Sequence, residues 1–294
     1  MVEEGAQVQV EIERLAAGGD GVGRLEDGLV VFVPYAAPGD RLEVRLRERR
    51  ARFARAEVVE VLRPGAARRD PRCAHFGRCG GCTWQHIDDG AQLAAKRTIV
   101  EDALRRIGGF EAPVVEVCPS PAAFGYRGRA RLVSEGGKLG YRVRGSRELC
   151  PVDSCPVLLP ALDAARAALA RRIEGEAEPG SREWELVQGA DGGVEVTPLS
   201  GKGPVRQVRH EVGGESVLVS GGGFLQSNAL LVDELCASVV QEAGAGRRLL
   251  ELFAGAGTFT LALGRCFEEV IAVEGSRRAA ADLKENLGGQ GLRG

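Results

Sequence analysis

Leu249-Leu250-Glu251-Leu252-Phe253-Ala254-Gly255-Ala256-Gly257-Thr258-Phe259-Thr260 decides the fold of the C-terminal part of the chain. An apolar strand, Leu249 to Phe253, runs into a loop with Gly255 and Gly257. A helix with Leu261 and Leu263 follows, then a second apolar strand, Val270-Ile271-Ala272-Val273, ending at Glu274. Strand, Gly-x-Gly loop, helix, strand and acid make half of a Rossmann-like nucleotide site. The glycines let backbone approach a ligand, and an acid after the second strand can accept hydrogen bonds from ribose hydroxyls. A dinucleotide site wants a third glycine at position 260, where this chain has Thr. The pattern therefore favours S-adenosylmethionine, which has no phosphate to cradle, over a dinucleotide or a tight structural turn.

Upstream of this stretch, Ser227 or Asn228 is placed to cap a helix carrying Leu231, Leu235 and Val239 and closing near Gly244. Residues 180–224 are Gly-rich and strand-like. A helix is expected from about Leu158 to Ile173, ended by Gly175, and strands over 114–157. A further helix covers 91–107, with Leu93, Val100, Ala103, Leu104 and Ile107 as its apolar stripe and Gly108-Gly109 as its stop. Over residues 7–62 the period is two. Val8, Val10 and Ile12 alternate with polar neighbours, and so do Leu42, Val44 and Leu46. Turn signals at Gly18–Gly21, Asp27-Gly28 and Pro38–Asp40 divide this stretch into about five strands, an OB-like barrel. Arg41, Arg45 and Arg47 share the wet face of its fourth strand.

Eight cysteines stand at positions 73, 79, 82, 118, 150, 155, 236 and 266. Cys73, Cys79 and Cys82 are spaced C-x5-C-x2-C, with Gly80-Gly81 letting the backbone fold so that three thiolates converge. A tight cysteine cluster in a chain without a secretory signal reads as a metal or redox site. A [4Fe–4S] cluster, a structural zinc with His75 as an optional ligand, and buried thiols all fit the spacing. Cys150 and Cys155 are downstream candidates for a fourth ligand. Cys236 and Cys266 read as core, and Cys118 has no more specific reading than packing. Ordinary hydrogen bonding is the default for His86 and His210.

The net charge of the 294 residues is −2, but it is unevenly spread. Residues 41–72 carry eleven Arg against five acids, and residues 124–147 carry seven basic residues against Glu135. Residues 161–294 have an acidic excess of five. Two basic stretches in a near-neutral chain are the footprint of a polyanion binder. Arg outnumbers Lys 35 to 4, which suits planar recognition of phosphates and bases but also follows from a GC-rich genome. No apolar run approaches the ~20 residues of a membrane span. Met1-Val2-Glu3-Glu4 is no signal peptide, so a cytoplasmic monomer with no membrane contact is expected.

Together these residues resemble the TRAM-domain RNA (uracil-5-)-methyltransferase family over nearly the whole chain. Gly21-Val22-Gly23, Val30–Pro34 and Pro38-Gly39-Asp40 look like TRAM. The segment Cys73–Cys82 is similar to the family's iron–sulfur motif, and Cys155-Pro156-Val157-Leu158 to the segment with its fourth ligand. Gly222–Asn228 is similar to the F-x-Q-x-N signature. Leu252–Gly257 and Val273-Glu274-Gly275 look like its S-adenosylmethionine motifs.

The resemblance implies a multidomain chain of α+β and α/β parts. Residues 1–65 form the OB-like TRAM barrel. Residues 66–224 form a central β-rich domain with the cysteine cluster, whose helix 91–110 has the methyltransferase domain as a candidate packing partner. Residues 225–294 open a Rossmann-like methyltransferase domain.

Implied ligands are a [4Fe–4S] cluster on Cys73, Cys79, Cys82 and Cys155, and S-adenosylmethionine at Gln226, Phe253, Gly255, Gly257, Thr258 and Glu274. Thr258 stands where some members have Asn. The implied reaction is methyl transfer to C5 of a uridine in ribosomal or transfer RNA, with 23S rRNA first. C5 of uracil is a poor nucleophile; in the family a cysteine thiolate adds to C6 and a base later removes the C5 proton. Both residues lie downstream of the family's Val-Glu-Gly motif, beyond Gly294. No catalytic residue is thus expected among the 294, and the chain alone is expected to be inactive. A non-catalytic RNA-binding iron–sulfur module is the alternative.

Overall fold

The computed structural model describes residues 3–111, 116–174, 180–199 and 206–289. It divides into two compact units, residues 1–119 with 143–147, and residues 120–142 with 148–294. The expected helix stop at Gly175, and residues 114–115 and 200–205 of the strand-like stretches, fall outside the described residues.

The first unit is built on a closed barrel. Strands β1 (Gln7–Leu15), β2 (Gly21–Arg24), β3 (Val30–Val33), β4 (Arg41–Arg49) and β5 (Phe53–Arg63) run in the order β1-β2-β3-β5-β4, and β4 closes on β1. The period-two residues point inward as expected. Val10, Ile12, Val31, Val33, Leu42, Val44 and Leu46 form its core. Closure pairs every strand on both sides and leaves no open edge.

Asp40, fully buried between β3 and β4, anchors the barrel to the next segment. Its carboxylate accepts from Ala37 N at 2.6 Å, Gly65 N at 2.9 Å and the Arg68 guanidinium, whose Nη2 lies 2.6 Å away. Arg68 Nη2 also donates to the Tyr35 carbonyl at 2.9 Å. Burial raises the Asp40 pKa, but Arg68 and the two amides outweigh it and hold the group below its ordinary value.

Helix α1 (Asp89–Arg106) begins where Asp88 accepts from Ala91 N at 2.9 Å. Its expected apolar stripe is not its packing face. None of its residues is buried, Val100 and Ile107 are exposed, and Ala91 and Ala95 pack instead beside Leu15, Ala37 and Ile87. Small residues on that face let the helix approach the barrel closely, and Arg14 reaches Asp102 at 4.0 Å.

The second unit begins with a five-stranded antiparallel sheet, order β10-β9-β6-β7-β8. Its strands are β6 (Arg129–Glu135), β7 (Lys138–Arg142), β8 (Leu149–Pro151), β9 (Ser181–Gln188) and β10 (Val194–Pro198). Helix α2 (Pro160–Glu174) buries Leu162, Leu169 and Ile173 against Leu132, Trp184 and Leu186 of this sheet. Then come the hairpin β11 (Gln207–Val212) and β12 (Glu215–Ser220), helix α3 (Val232–Ala243), β13 (Gly246–Leu252), α4 (Thr260–Leu263), β14 (Phe267–Val273) and α5 (Arg277–Gly289).

Neither Ser227 nor Asn228 caps α3. Its N-cap is Leu231, without a side-chain bond, because Asn228 is occupied with Leu230 N and Ser120 Oγ, both at 3.0 Å. Cys236 is buried as expected, whereas Cys118 is exposed. Strands β13 and β14 pair in parallel, with Leu250 opposite Ile271 and Leu252 opposite Val273. All four are exposed on one face of the pair.

Against its hydrogen-bonding default, His86 has no partner of hydrogen-bond geometry on either ring nitrogen among the described residues. It is buried beside Phe76, with ring centroids 5.3 Å apart, and burial lowers its pKa to about 4, an approach to the Ala36 carbonyl only partly offsetting this. The unfolded chain binds a proton near pH 6.5 that folded His86 refuses until about pH 4. Stability should therefore fall as pH drops through that window, by up to about 3 kcal/mol from this residue. Asp40 adds a loss at still lower pH, as its depressed pKa is reached. Urea unfolding at pH 7 and pH 4.5 checks this; a His86→Phe variant should show a shallower fall.

Candidate cofactor site

The Gly loop leaves β13 through Phe253, which has φ 61° and is 89% exposed. A left-handed conformation is unfavourable for a bulky residue and costs on the order of 1–3 kcal/mol. It turns the chain sharply at the end of the strand and presents an aromatic face to solvent. Gly257 follows with φ 95°, and a Cβ there would lie 2.8 Å from Leu283 Cδ1. Only glycine meets both the backbone angle and the close approach of α5. Leu261 and Leu263 of α4 are buried as the apolar pattern requires.

Glu274 follows directly on β14 and reaches back to this loop. Gly255 N donates to its Oε2 at 2.8 Å and Ser276 N to its Oε1 at 2.6 Å. These two amides hold its carboxyl below the ordinary carboxylate range. A carboxylate offers about four lone-pair sites, so each oxygen retains room for a further donor such as a ribose hydroxyl. Thr258 lies within the same turn. Thr260, at the position of the missing third glycine, is buried and donates its hydroxyl to Glu251 Oε2 at 2.7 Å. Burial raises the Glu251 pKa and this hydroxyl lowers it in part.

Gln226 lies elsewhere in the same unit, after the Gly221-Gly222-Gly223 turn. It lines a cavity of about 220 Å³ with Gln188, His210, Leu225, Ala229 and Val232. His210 also departs from its hydrogen-bonding default. Its Nε2 has no partner among the described residues, and burial, aided by the Arg129 charge, lowers its pKa to about 4. Leu225 beside it packs with Ala256 of the Gly loop in one apolar cluster.

Sequence reading missed the residues that join these pieces. Asn286 on α5 accepts from Leu218 N at 2.9 Å, donates to Leu218 O at 2.9 Å and donates to Ala256 O at 2.8 Å. Asp282, one turn earlier, accepts from Ser220 N at 2.8 Å and Ser220 Oγ at 2.7 Å. The helix thus satisfies the outer edge of β12 and the Gly loop together. The available signal was the i, i+4 placement of two short polar residues beside Leu283 and Leu287 on the face of α5 that should be apolar.

In the first unit Cys73, Cys79 and Cys82 are half-buried on a run of turns. Gly81 N donates to Cys79 Sγ at 3.4 Å, and Cys79 N to His75 O at 2.9 Å. Among the described residues no group of three or more His, Cys, Asp or Glu side chains is gathered as for a metal. Cys155 belongs to the second unit, where its amide donates to Asp163 Oδ1 at 3.1 Å, at the start of α2. Arg41, Arg45 and Arg47 do share a face, but Arg45 and Arg47 both bond Glu57 and Arg41 donates to Gln9. No helix among the described residues is long and apolar enough to cross a membrane.

A closed five-stranded barrel, with a Gly loop braced by an acid after the next strand, is the layout of an RNA-directed methyltransferase. Residues 2–59 match the TRAM domain, and residues 216–290 match the tRNA (Uracil-5-)-methyltransferase family. A 23S rRNA (uracil(1939)-C(5))-methyltransferase RlmD from Halomonas elongata is 32% identical, over 95% of this chain and 68% of its own length. Its counterpart from Chromohalobacter salexigens is 34% identical, over 96% and 69%. The crystal structure of Pyrococcus abyssi tRNA (uracil-54, C5)-methyltransferase in complex with S-adenosyl-L-homocysteine superposes with a TM-score of 0.75. It is 25% identical and covers 97% of this chain and 77% of that one. The chain belongs to the RNA uracil-5-methyltransferase family.

Replacing Asn286 by Ala leaves two carbonyls and one amide without their partner. The variant is expected to lose at least roughly 3 kcal/mol in urea unfolding, given about 1–3 kcal/mol for each of the three groups left unsatisfied. Asn286→Asp, which aims a buried carboxylate at the Leu218 and Ala256 carbonyl oxygens one turn from Asp282, should lose at least as much at pH 7.

Proposed function

We propose that the chain serves methyl transfer from S-adenosylmethionine to C5 of a uridine in RNA, with 23S rRNA as the substrate. The carrying observation is the Glu274 carboxylate, held ionised by the Gly255 and Ser276 amides beside an exposed Phe253. In this reading Glu274 takes the ribose hydroxyls, Phe253 lies against the adenine, and Gly255, Gly257 and Thr258 let backbone approach the ligand. Gln226 completes the contact from the segment after β12. S-Adenosylmethionine supplies the electrophilic methyl group. The site residues orient it, and a target base must leave its stack to reach it. The barrel and the basic stretches at 41–72 and 124–147 supply phosphate contacts, which position RNA without reading its sequence.

A [4Fe–4S] cluster is proposed on Cys73, Cys79 and Cys82, with Cys155 the fourth ligand that the family resemblance implies. The Gly81 N–H directed at Cys79 Sγ supports it, since hydrogen bonds to sulfur are a lever by which proteins tune such clusters. Its role would be to shape the RNA-binding surface. Chain division follows the same reading, with TRAM over 1–65, a central domain over 66–224 and methyltransferase residues over 225–294.

With radiolabelled S-adenosylmethionine and 23S rRNA or tRNA transcripts, residues 1–294 are expected to bind rRNA. Failure to bind rRNA would contradict the assignment. Turnover by this chain would show that the chemistry resides in it. Anaerobic purification should give a brown protein with about four iron per chain; a colourless protein with one zinc would overturn the cluster.

A further inference from the structure

We propose that Glu185 is a positioning residue, which holds the segment bearing Gln226 in its cofactor-binding shape; this rests on the assignment of Gln226 above. Three successive glycines, Gly221, Gly222 and Gly223, separate β12 from Leu225 and Gln226. Such a run loses more conformational entropy on ordering than any other tripeptide, and Gly222 sits at φ 80°. Left to itself it would not fix the residue that follows.

The structure fixes it from several sides. Gly221 O accepts from Arg278 Nη1 at 2.9 Å, and Gly222 O from Arg131 Nη2 at 3.2 Å. The amide of Gly222 donates to Glu185 Oε2, and it is the amide at the centre of the turn. Glu185 stands in the middle of β9 and is only 2% exposed. Its other oxygen, Oε1, accepts from Arg129 Nε at 2.8 Å and from Arg129 Nη2. Arg131, its register partner on β6, lies 3.4 Å from the same oxygen.

The two oxygens divide the work, one balancing Arg129 and the other gripping the loop. A buried ion pair adds little net stability, because the desolvation of both ions offsets their attraction. Well-packed apolar residues in its place are often neutral or stabilising. Stability therefore does not explain a carboxylate at this position, whereas the Gly222 amide does. A charged acceptor makes a stronger, more directional bond to a backbone N–H than a neutral one.

The test uses the 294-residue chain, with S-adenosylmethionine titrated by calorimetry and Gly222 amide exchange followed by NMR. Three variants accompany the parent. Gln226→Ala tests the assignment itself and should weaken binding at least tenfold. Glu185→Leu with Arg129→Met removes the pair together and should retain the parent's unfolding midpoint. It should nonetheless lose protection at Gly222 and weaken S-adenosylmethionine binding at least tenfold. Glu185→Gln, which keeps one acceptor oxygen, should retain part of both.

Unchanged binding in Gln226→Ala would sink the assignment, while loss of Gly222 protection in the double variant would still register the positioning. Weakened binding in Gln226→Ala, together with parental protection and affinity in the double variant, would overturn the inference. If the double variant fails to fold, Glu185→Gln decides: parental Gly222 exchange and parental affinity would count against Glu185.

Discussion

The three hydrogen bonds of Asn286 hold the C-terminal elements in one arrangement. Its amide group completes the free edge of β12 at Leu218 and grips the Gly-loop carbonyl of Ala256. Asp282 repeats the first of these tasks at Ser220. Through these contacts the hairpin that leads to Gln226 and the loop that leads to Glu274 are fixed to one helix. An apolar helix face could bury the same area, but it would leave the β12 edge and the loop carbonyl unsatisfied, at about 1–3 kcal/mol each. Directional bonds also set distance and register in a way that apolar contact does not.

The same economy recurs at Asp40 and Glu185. Each is a buried carboxylate whose charge is balanced by an Arg and whose remaining lone pairs bind backbone amides of a glycine-containing turn. Asp40 closes the corner of the barrel, and Glu185 fixes the turn before Gln226. Glu274 is the half-buried counterpart. It binds Gly255 N and keeps capacity for a ligand. Carboxylates that order glycine turns are thus how this chain converts flexible segments into shaped ones.

Much of this was legible in the sequence. Period-two alternation with turn residues located the barrel, because its faces differ in solvation. The apolar strands around Gly255 and Gly257 located the loop, because few other sequences tolerate positive φ there. Helix α1 was placed correctly, but its packing face was not. Its stripe was read from large side chains, while the contact uses Ala91 and Ala95, whose small size permits close approach. Asn228 was read as a helix cap, but its side chain is occupied elsewhere. His86 and His210 look in sequence like ordinary hydrogen-bonding residues, and burial in the fold is what lowers their pKa values to about 4. Asn286, Asp282 and Glu185 were invisible because their partners are backbone atoms distant in sequence, which no local pattern encodes.

Glu274 and its loop are the proposed site of S-adenosylmethionine. Calorimetric titration of S-adenosylmethionine into the 294-residue chain and its Glu274→Ala variant tests this most directly. Saturable binding at one site per chain, weakened at least tenfold by the substitution, is the expected result. No saturable binding to the parent chain, or equal affinity in both, would contradict it.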